Sequence, residues 1–97
     1  MTRKVVFRTA AKRDLSQLGA QSAREWGARR TRGYLLDLDA KIQKLAENPM
    51  LGHEAGLGRA GVRRMNSGRH AVFYVVGEER IEIVRILHVS RDAGRWV

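Results

Sequence analysis

Residues 70–89 read HAVFYVVGEERIEIVRILHV, two apolar runs separated by a short polar link. The runs, His70–Val76 and Arg80–Val89, are rich in the β-branched and aromatic residues that favour strands. Gly77 and Glu78 form a turn cluster between them, so the stretch predicts an antiparallel hairpin. The second run is apolar on both faces, which is typical of a strand inside a sheet. Simple alternation predicts two faces for it: Ile81, Ile83, Leu87 and Val89 on one, Val84 and Ile86 on the other.

Another predicted strand precedes this hairpin. Val62–Met65 is a short strand-like run, and residues 66–68, Asn-Ser-Gly, form a second turn cluster after it. Three consecutive antiparallel strands are therefore expected in the second half of the chain. The loop before them is marked by four glycines: Gly52, Gly56, Gly58 and Gly61.

The first half of the chain has helical periodicity. Val5–Phe7 predicts a short strand, and Thr9 has the residue type of a helix N-cap. Two apolar stripes then recur at helical spacing: Ala11, Leu15, Leu18 and Trp26, followed by Tyr34, Leu38, Ile42 and Leu45. The first helix should end near Gly27 and the second at Asn48, before Pro49. These two helices predict an antiparallel hairpin whose stripes cover a common surface.

The predicted order is therefore β-α-α-β-β-β, followed by a short C-terminal helix that Ser90 would cap. The chain has 97 residues and a mass of 11.0 kDa. This size suits a single domain, residues 1–97, because two halves would be near the lower limit for a stable core.

The charge of the chain indicates an acidic or polyanionic partner. Nineteen basic residues against ten acidic ones give a net charge of +9, and fifteen of the basic residues are arginine. Arginine binds carboxylates and phosphates through two parallel hydrogen bonds. A charged surface that serves only solubility would give the same composition, so charge alone does not distinguish the two.

Two further features of the composition exclude classes of protein. The chain has no cysteine, which excludes disulfide scaffolds, cysteine nucleophiles and thiolate zinc sites. No apolar stretch has the length of a secretory signal or a membrane span. The expected location is the cytoplasm, without membrane contact.

Histidine and arginine are the candidate chemical groups. His53, His70 and His88 are not spaced as metal ligands, so no metal site is expected. His88 ends the longest strand and is either a surface functional group or a structural residue bonded to backbone. Five arginines lie on or beside the predicted strands: Arg63, Arg64, Arg69, Arg85 and Arg91.

These arginines have two interpretations. They would form one cationic patch, in which arginine and histidine serve RNA cleavage without a metal, or they would pair with Glu78, Glu79 and Glu82. The helix carboxylates are expected to be solvated surface charges: Asp14, Glu25, Asp37 and Asp39.

An ordered set of short motifs runs through nearly the whole chain. Its members are Ala11, Asp14-Leu15, Trp26-Gly27, Leu38, Ile42, Leu45, Pro49, Gly52, Val62-Arg63-Arg64, Phe73-Tyr74, Ile83-Val84-Arg85-Ile86-Leu87-His88 and Arg91-Asp92. In this combination the chain resembles the ParE branch of the RelE/ParE toxin superfamily. Members are bacterial toxins of type II toxin–antitoxin modules. The resemblance implies an α+β fold with a helical hairpin packed on a twisted antiparallel sheet.

The resemblance also implies an activity. ParE-like members poison DNA gyrase, whereas RelE-like members cut mRNA in the ribosome and typically use a Tyr or His acid/base in the C-terminal segment. Here no tyrosine follows Tyr74, and Trp96 and Val97 are the last residues. The resemblance therefore implies a gyrase inhibitor that is not an enzyme. One alternative is a metal-independent, ribosome-dependent mRNA endonuclease, and another is a nucleic-acid-binding domain without toxicity.

The resemblance further implies the partners. They are a small cognate antitoxin, ParD-like, with an acidic and apolar C-terminal segment, and DNA gyrase; the endonuclease alternative would add ribosome and mRNA. No cofactor, metal or catalytic residue is expected. Because the helix stripes must face the sheet, the predicted target-binding residues lie on strand ends and the tail: Arg64, Arg85, His88, Arg91 and Trp96. The antitoxin-binding residues stay unassigned.

Overall fold

The computed structural model describes residues 2–58 and 60–97. Its strands are β1 (Lys4–Phe7), β2 (His53–Glu54), β3 (Val62–Ser67), β4 (His70–Val76) and β5 (Arg80–His88). Its α-helices are α1 (Thr9–Trp26) and α2 (Ala28–Lys44), and two short 3₁₀ helices cover Pro49–Leu51 and Ala93–Arg95. The two-residue strand β2 was not predicted, because a run that short has no period of its own.

The five strands form one sheet in the order β1-β5-β4-β3-β2. Neighbouring strands are antiparallel except β1, which is parallel to β5 with Lys4 opposite Arg80. The α+β class and the predicted order of the elements other than β2 are confirmed, but the sheet is mixed and not purely antiparallel. No local turn joins β1 to β5, so the direction of this pair is set by packing and not by a readable sequence signal.

Both helices pack on one face of the sheet and form the main core. Gly27 separates them with φ of +86°, a conformation that L side chains rarely adopt, and its N–H bonds the Ala23 carbonyl. The predicted break between the helices is therefore confirmed. The buried members of the main core are Ala11, Leu18, Leu38, Ile42, Leu45, Met65, Val72, Tyr74, Ile81, Ile83 and Ile86.

A β-bulge changes the faces of β5. Phe73 is opposite Arg85, but the next residue, Tyr74, is opposite Ile83, so Val84 is the extra residue. The prediction from simple alternation is wrong for this reason: Ile86 joins Ile81 and Ile83 in the main core, and Leu87 lies on the other face.

The second face of the sheet carries a smaller core. Its buried residues are Val62, Ala71, Phe73, Leu87 and Ala93. Partly buried residues from the loop after β2 and from the tail pack against them, among them Leu57 and Val97. The C-terminal tail is therefore part of the fold on this face.

Three predictions at element ends are corrected. Thr9 is the first residue of α1, and the N-cap position belongs to Arg8, which makes no side-chain cap. The helix α2 ends at Lys44 and not at Asn48, because the Leu45 N–H turns to the Ile42 carbonyl in a tighter 3₁₀ bond. In the tail, the Asp92 carboxylate accepts the cap hydrogen bond from the Gly94 N–H, while Ser90 bonds His88.

Neither helix, within the part of the chain that the structure describes, combines the length and the apolar character that crossing a bilayer requires.

Candidate functional site

A cleft of about 440 Å³ lies between α1, the C-terminal end of β5 and the tail, and we call it the α1–β5 cleft. Four of the five predicted target-binding residues line it together: Arg85, His88, Arg91 and Trp96. The opposite wall is α1, which contributes Arg13 and Gln17. The cleft therefore gathers side chains from three separate parts of the chain.

Asp14 of α1 organises this cleft. Its two carboxylate oxygens accept hydrogen bonds from Nε and Nη2 of Arg85 at 2.7 and 2.8 Å, and Oδ2 also accepts the Ile86 N–H at 3.0 Å. β1 pairs with β5 only as far as Ile83, so Asp14 bonds the β5 edge beyond the end of β1. The Asp14 side chain is only 9% exposed, and the prediction of a solvated surface charge is wrong.

Arg85 has its orientation fixed on both sides. Its hydrogen bond to Asp14 raises the pKa of Arg85 above its ordinary value. Its remaining nitrogen, Nη1, donates to the Trp96 carbonyl at 3.1 Å, which ties the tail to the rim of the cleft. The Arg85 guanidinium lies 5.7 Å from the Trp96 ring centre, and the Arg91 guanidinium lies 4.9 Å from it.

His88 is exposed at the end of β5. Its Nδ1 accepts the Ser90 N–H at 3.1 Å and lies 2.7 Å from the Ser90 hydroxyl oxygen. Because Nδ1 accepts a backbone N–H, the neutral ring carries its proton on Nε2. His88 thus makes the backbone bond expected of a structural residue and also keeps a donor for a partner.

His70 lies opposite His88 across the β4–β5 pair, with ring centres 5.6 Å apart. Its Nδ1 lies 2.7 Å from the Tyr34 hydroxyl oxygen. Burial, and then the charges of His88 and Arg69, lower the pKa of His70, so this ring is neutral at pH 7.

The Tyr34 hydroxyl holds the β3–β4 turn as well as His70. It donates to the Ser67 carbonyl at 3.0 Å and accepts the Arg69 N–H at 3.1 Å. Gly68, with φ of +57°, passes so close that a Cβ there would lie 2.7 Å from the Tyr34 ring. Tyr34 was expected only as part of an apolar stripe, and no local signal links it to a histidine 36 positions away.

Trp26 does not belong to the main core, although the helical periodicity predicted it there. It is half-buried at the end of α1, with its ring centre 6.0 Å from that of Tyr34. The guanidinium groups of Arg30 and Arg69 lie 5.5 and 5.4 Å from the Trp26 ring centre. This tryptophan therefore carries two arginines, as Trp96 does.

Arg64 is the predicted target-binding residue that does not reach the cleft. It lies on β3 opposite Phe73, stacks 5.5 Å from that ring and donates to Asn66 at 2.8 Å. Arg85 is opposite Phe73 from the other side, so β4 separates Arg64 from the cleft. Arg63 turns away to the Gly52 carbonyl.

The five arginines accordingly do not form one patch. They do not pair with the predicted glutamates either: among residues 2–58 and 60–97 the ion pairs are Arg85 with Asp14 and Arg8 with Glu82. In the same described residues no cluster of three or more His, Asp and Glu side chains has a geometry that could hold a metal ion.

Comparison with known proteins gives a consistent family. A family model described as "ParE toxin of type II toxin-antitoxin system, parDE" matches residues 5–93. The chain is 43% identical over 83 residues to Toxin ParE1 of Caulobacter vibrioides, covering 86% of this chain and 85% of that protein. It is 32% identical over 96 residues to Toxin ParE1 of Mycobacterium tuberculosis strain H37Rv, covering 98% of both chains.

Two solved structures share the fold. A chain of the chromosomal ParDE toxin–antitoxin system from P. aeruginosa superposes with a TM-score of 0.81 at 17% identity, over 92% of this chain and 98% of that one. A chain of the RelBE2 toxin–antitoxin complex from Mycobacterium tuberculosis superposes with a TM-score of 0.66 at 20% identity, over 91% and 99%. At these identities the likeness concerns the fold.

Proposed function

Because this chain belongs to the ParE toxin family of type II toxin–antitoxin systems, we propose that it inhibits DNA gyrase in the cytoplasm through the α1–β5 cleft. The observation that carries the proposal is the convergence of Arg85, His88, Arg91 and Trp96 on one cleft. We exclude Arg64 from the contact surface, because β4 lies between it and the cleft.

The cleft combines a fixed frame with exposed contact groups. Asp14, Arg85 and the Trp96 carbonyl form a bonded chain from the first helix to the tail. Arg91 and the Trp96 side chain project from this frame, and the Trp96 residue is 44% exposed. Exposed tryptophan and arginine on a fixed frame are frequent anchors of protein interfaces, because little entropy is lost when they bind.

Its partner in the cell is a cognate antitoxin. We propose that the antitoxin contributes a segment with carboxylates and apolar side chains, since the toxin has a net charge of +9. Apolar surface for such a segment is available on the helical hairpin, where Leu36 is 60% exposed and lines a groove with Leu35 and Arg32.

One observation favours the alternative, ribosome-dependent cleavage of mRNA. RNA cleavage without a metal needs a base that is neutral at pH 7 and a donor beside it. The neutral His70 ring and the Nε2–H of His88 have these two properties, and both residues line the cleft. This pair is the feature of the cleft that favours the alternative, and an mRNA cleavage assay tests it.

Two assays with the purified full chain test the proposal. In the first, gyrase and relaxed plasmid are incubated with increasing toxin, and we expect supercoiling to be lost at substoichiometric to stoichiometric toxin. In the second, programmed ribosomes are incubated with the toxin, and we expect intact mRNA. Cleavage inside codons together with unimpaired supercoiling would contradict the proposal and establish the alternative.

A further inference from the structure

Two tryptophans, each with two arginine guanidinium groups near its ring, lie at either end of a line of aromatic side chains. From the hairpin side the row runs through Trp26, Tyr34, His70 and His88, with ring centres 6.0, 5.6 and 5.6 Å apart. His88 then shares the α1–β5 cleft with Trp96. The Trp–His band is defined as the tryptophans and histidines along this line with the neighbouring arginines that make no ion pair among residues 2–58 and 60–97: Trp26, Arg30, Arg69, His70, His88, Arg91 and Trp96.

We propose that the Trp–His band binds the sugar–phosphate backbone and bases of a single-stranded nucleic acid. This goes beyond gyrase inhibition, since it requires only the isolated chain and a polynucleotide. Surfaces that bind single strands without sequence preference combine cationic groups, which follow the phosphates, with aromatic rings, on which bases stack.

The charges of the band are available to a ligand. Among residues 2–58 and 60–97, Arg30, Arg69 and Arg91 make no ion pair. The carboxylate inside the cleft, Asp14, is already bonded to Arg85 and to the Ile86 N–H. Asp37 lines the pocket beside Trp26 together with Arg30 and Arg69, so the arginines outnumber the carboxylate among the residues of that pocket. The band is therefore cationic along its length.

The band also offers donors between its charged ends. The Nε2–H of His88 is left for a ligand, because Ser90 occupies Nδ1. Gln17 and Gln21 of α1 line the same cleft and supply amide groups. These donors suit phosphate oxygens, and a guanidinium group has five N–H donors that match a phosphate in the same way.

The shape of the surface favours a single strand over a duplex. Proteins read B-DNA by inserting a helix or a β-ribbon into a groove of about 12 Å width. Here one end of the band lines the concave α1–β5 cleft of about 440 Å³, and the other end, with Trp26, Arg30 and Arg69, lines a second pocket, so the charged groups lie in depressions of the surface. An acidic protein segment would use the arginines but gains less from the row of rings, so a polynucleotide is the ligand that uses both.

The test uses the full-length chain, separated from its antitoxin, and fluorescein-labelled dT20 and U20 oligonucleotides. Binding is measured by anisotropy as a function of salt. The two tryptophans of the chain are both in the band, so their intrinsic fluorescence reports contact there directly. We expect dT20 or U20 to bind and to quench this fluorescence. The ratio of the two affinities shows whether the band prefers DNA or RNA.

A double substitution and a matched control locate the site. Arg69→Ala with Arg91→Ala should weaken dT20 binding about tenfold and reduce the salt slope by about 1.4, since each phosphate contact on a single strand contributes about 0.7. Lys4→Ala with Arg80→Ala removes the same charge at the other end of β5, where these residues face each other, and should change binding by less than about twofold.

Four results would overturn the inference: no binding of dT20 or U20, an equal loss in the two double variants, binding without tryptophan quenching, or tighter binding of a 20-base-pair duplex than of dT20. Poly-glutamate that quenches tryptophan while both oligonucleotides fail to bind would assign the band to an acidic protein partner. Each assay omits gyrase, so failure of this inference is separable from failure of gyrase inhibition.

Discussion

The helical hairpin and the α1–β5 cleft differ in what their side chains do. In the hairpin, Leu38 and Ile42 are buried against the sheet, so their contribution is to the stability of the fold. In the cleft, Arg91 and Trp96 are exposed, and the polar frame beneath them is satisfied by hydrogen bonds. The comparison shows that in this small protein the fold and its contact groups depend on different residues.

Asp14 is where the two regions meet. It belongs to a hairpin helix by sequence, yet its carboxylate bonds Arg85 and the β5 backbone. A substitution at Asp14 should therefore affect both stability and toxicity. A substitution in the core of the hairpin should act through stability, and one among the exposed groups of the cleft should act on toxicity.

The largest expected effect is in the hairpin. Leu38→Ala removes a side chain that is 1% exposed and leaves a cavity, which should lower the free energy of unfolding by about 2–5 kcal/mol. Chemical denaturation of the purified variant measures this loss. Leu36→Ala, at an exposed position of the same helix, is the control and should change stability by less than about 0.5 kcal/mol. Equal losses in the two variants would contradict the assignment of the buried face.

The next effect is at Asp14. Asp14→Ala leaves the Ile86 N–H and the Arg85 guanidinium without their acceptor, at a cost of about 1–3 kcal/mol. A thermal melt should show a midpoint lower by roughly 4–8 °C for each kcal/mol in a chain of this size. We also expect weaker toxicity at a temperature where the variant is folded, because Arg85 no longer holds the tail. Asp37→Ala on α2, an exposed carboxylate, should change neither property.

The smallest expected effect is a pH dependence centred on His70. Tyr34 contacts this ring. Burial lowers the pKa of His70, and the charges of His88 and Arg69 lower it further, so the folded pKa lies below the unfolded value near 6.5. As pH falls below about 6.5 the unfolded chain takes up a proton before the folded chain does, and stability decreases until the folded pKa is passed.

Urea unfolding at pH 7.5 and 5.5 checks this sign. His70→Gln should show a smaller difference between the two pH values than the original chain, whereas His53→Gln, at an exposed position on β2, should leave the difference unchanged. Glu82 has a lowered pKa through its hydrogen bond to Arg8, so its stability loss occurs below pH 4.5, outside this window. A stability that rises from pH 7.5 to 5.5 would contradict the direction assigned to His70.

Local patterns were sufficient to predict the hairpin. The two apolar stripes and Gly27 act over a few residues, and the structure confirms the helices and the break between them. The strands of the meander were predicted for the same reason, although β3 continues to Ser67 and β5 ends at His88. What failed locally was the alternation along β5, since the bulge opposite Phe73 and Tyr74 has no signature in the sequence.

The frame of the cleft could not be predicted, because its partners are distant in sequence. Asp14 and Arg85 are 71 positions apart, and in its own segment of the sequence each one has the pattern of a solvated surface charge. The requirement that the helix stripes face the sheet indicated Arg85, His88, Arg91 and Trp96 as contact residues. The motifs that carry the family resemblance include Asp14 and Trp26 but gave neither of them a role at a site, and Tyr34 is not among them. Arg64 was grouped with the contact residues because the sequence does not show that β4 lies between Arg64 and the cleft.

The central claim is that the cleft and the tail carry toxicity while the hairpin stabilises the fold. The most direct test is to measure both gyrase inhibition and stability of the Arg91→Ala variant. The expected result is a free energy of unfolding unchanged within about 0.5 kcal/mol, retained antitoxin binding, and supercoiling inhibition weakened at least about tenfold. Arg80→Ala, at the other end of β5, should inhibit as strongly as the original chain. A folded Arg91→Ala toxin that inhibits gyrase at full strength would contradict the account and move the target surface to the exposed face of the hairpin.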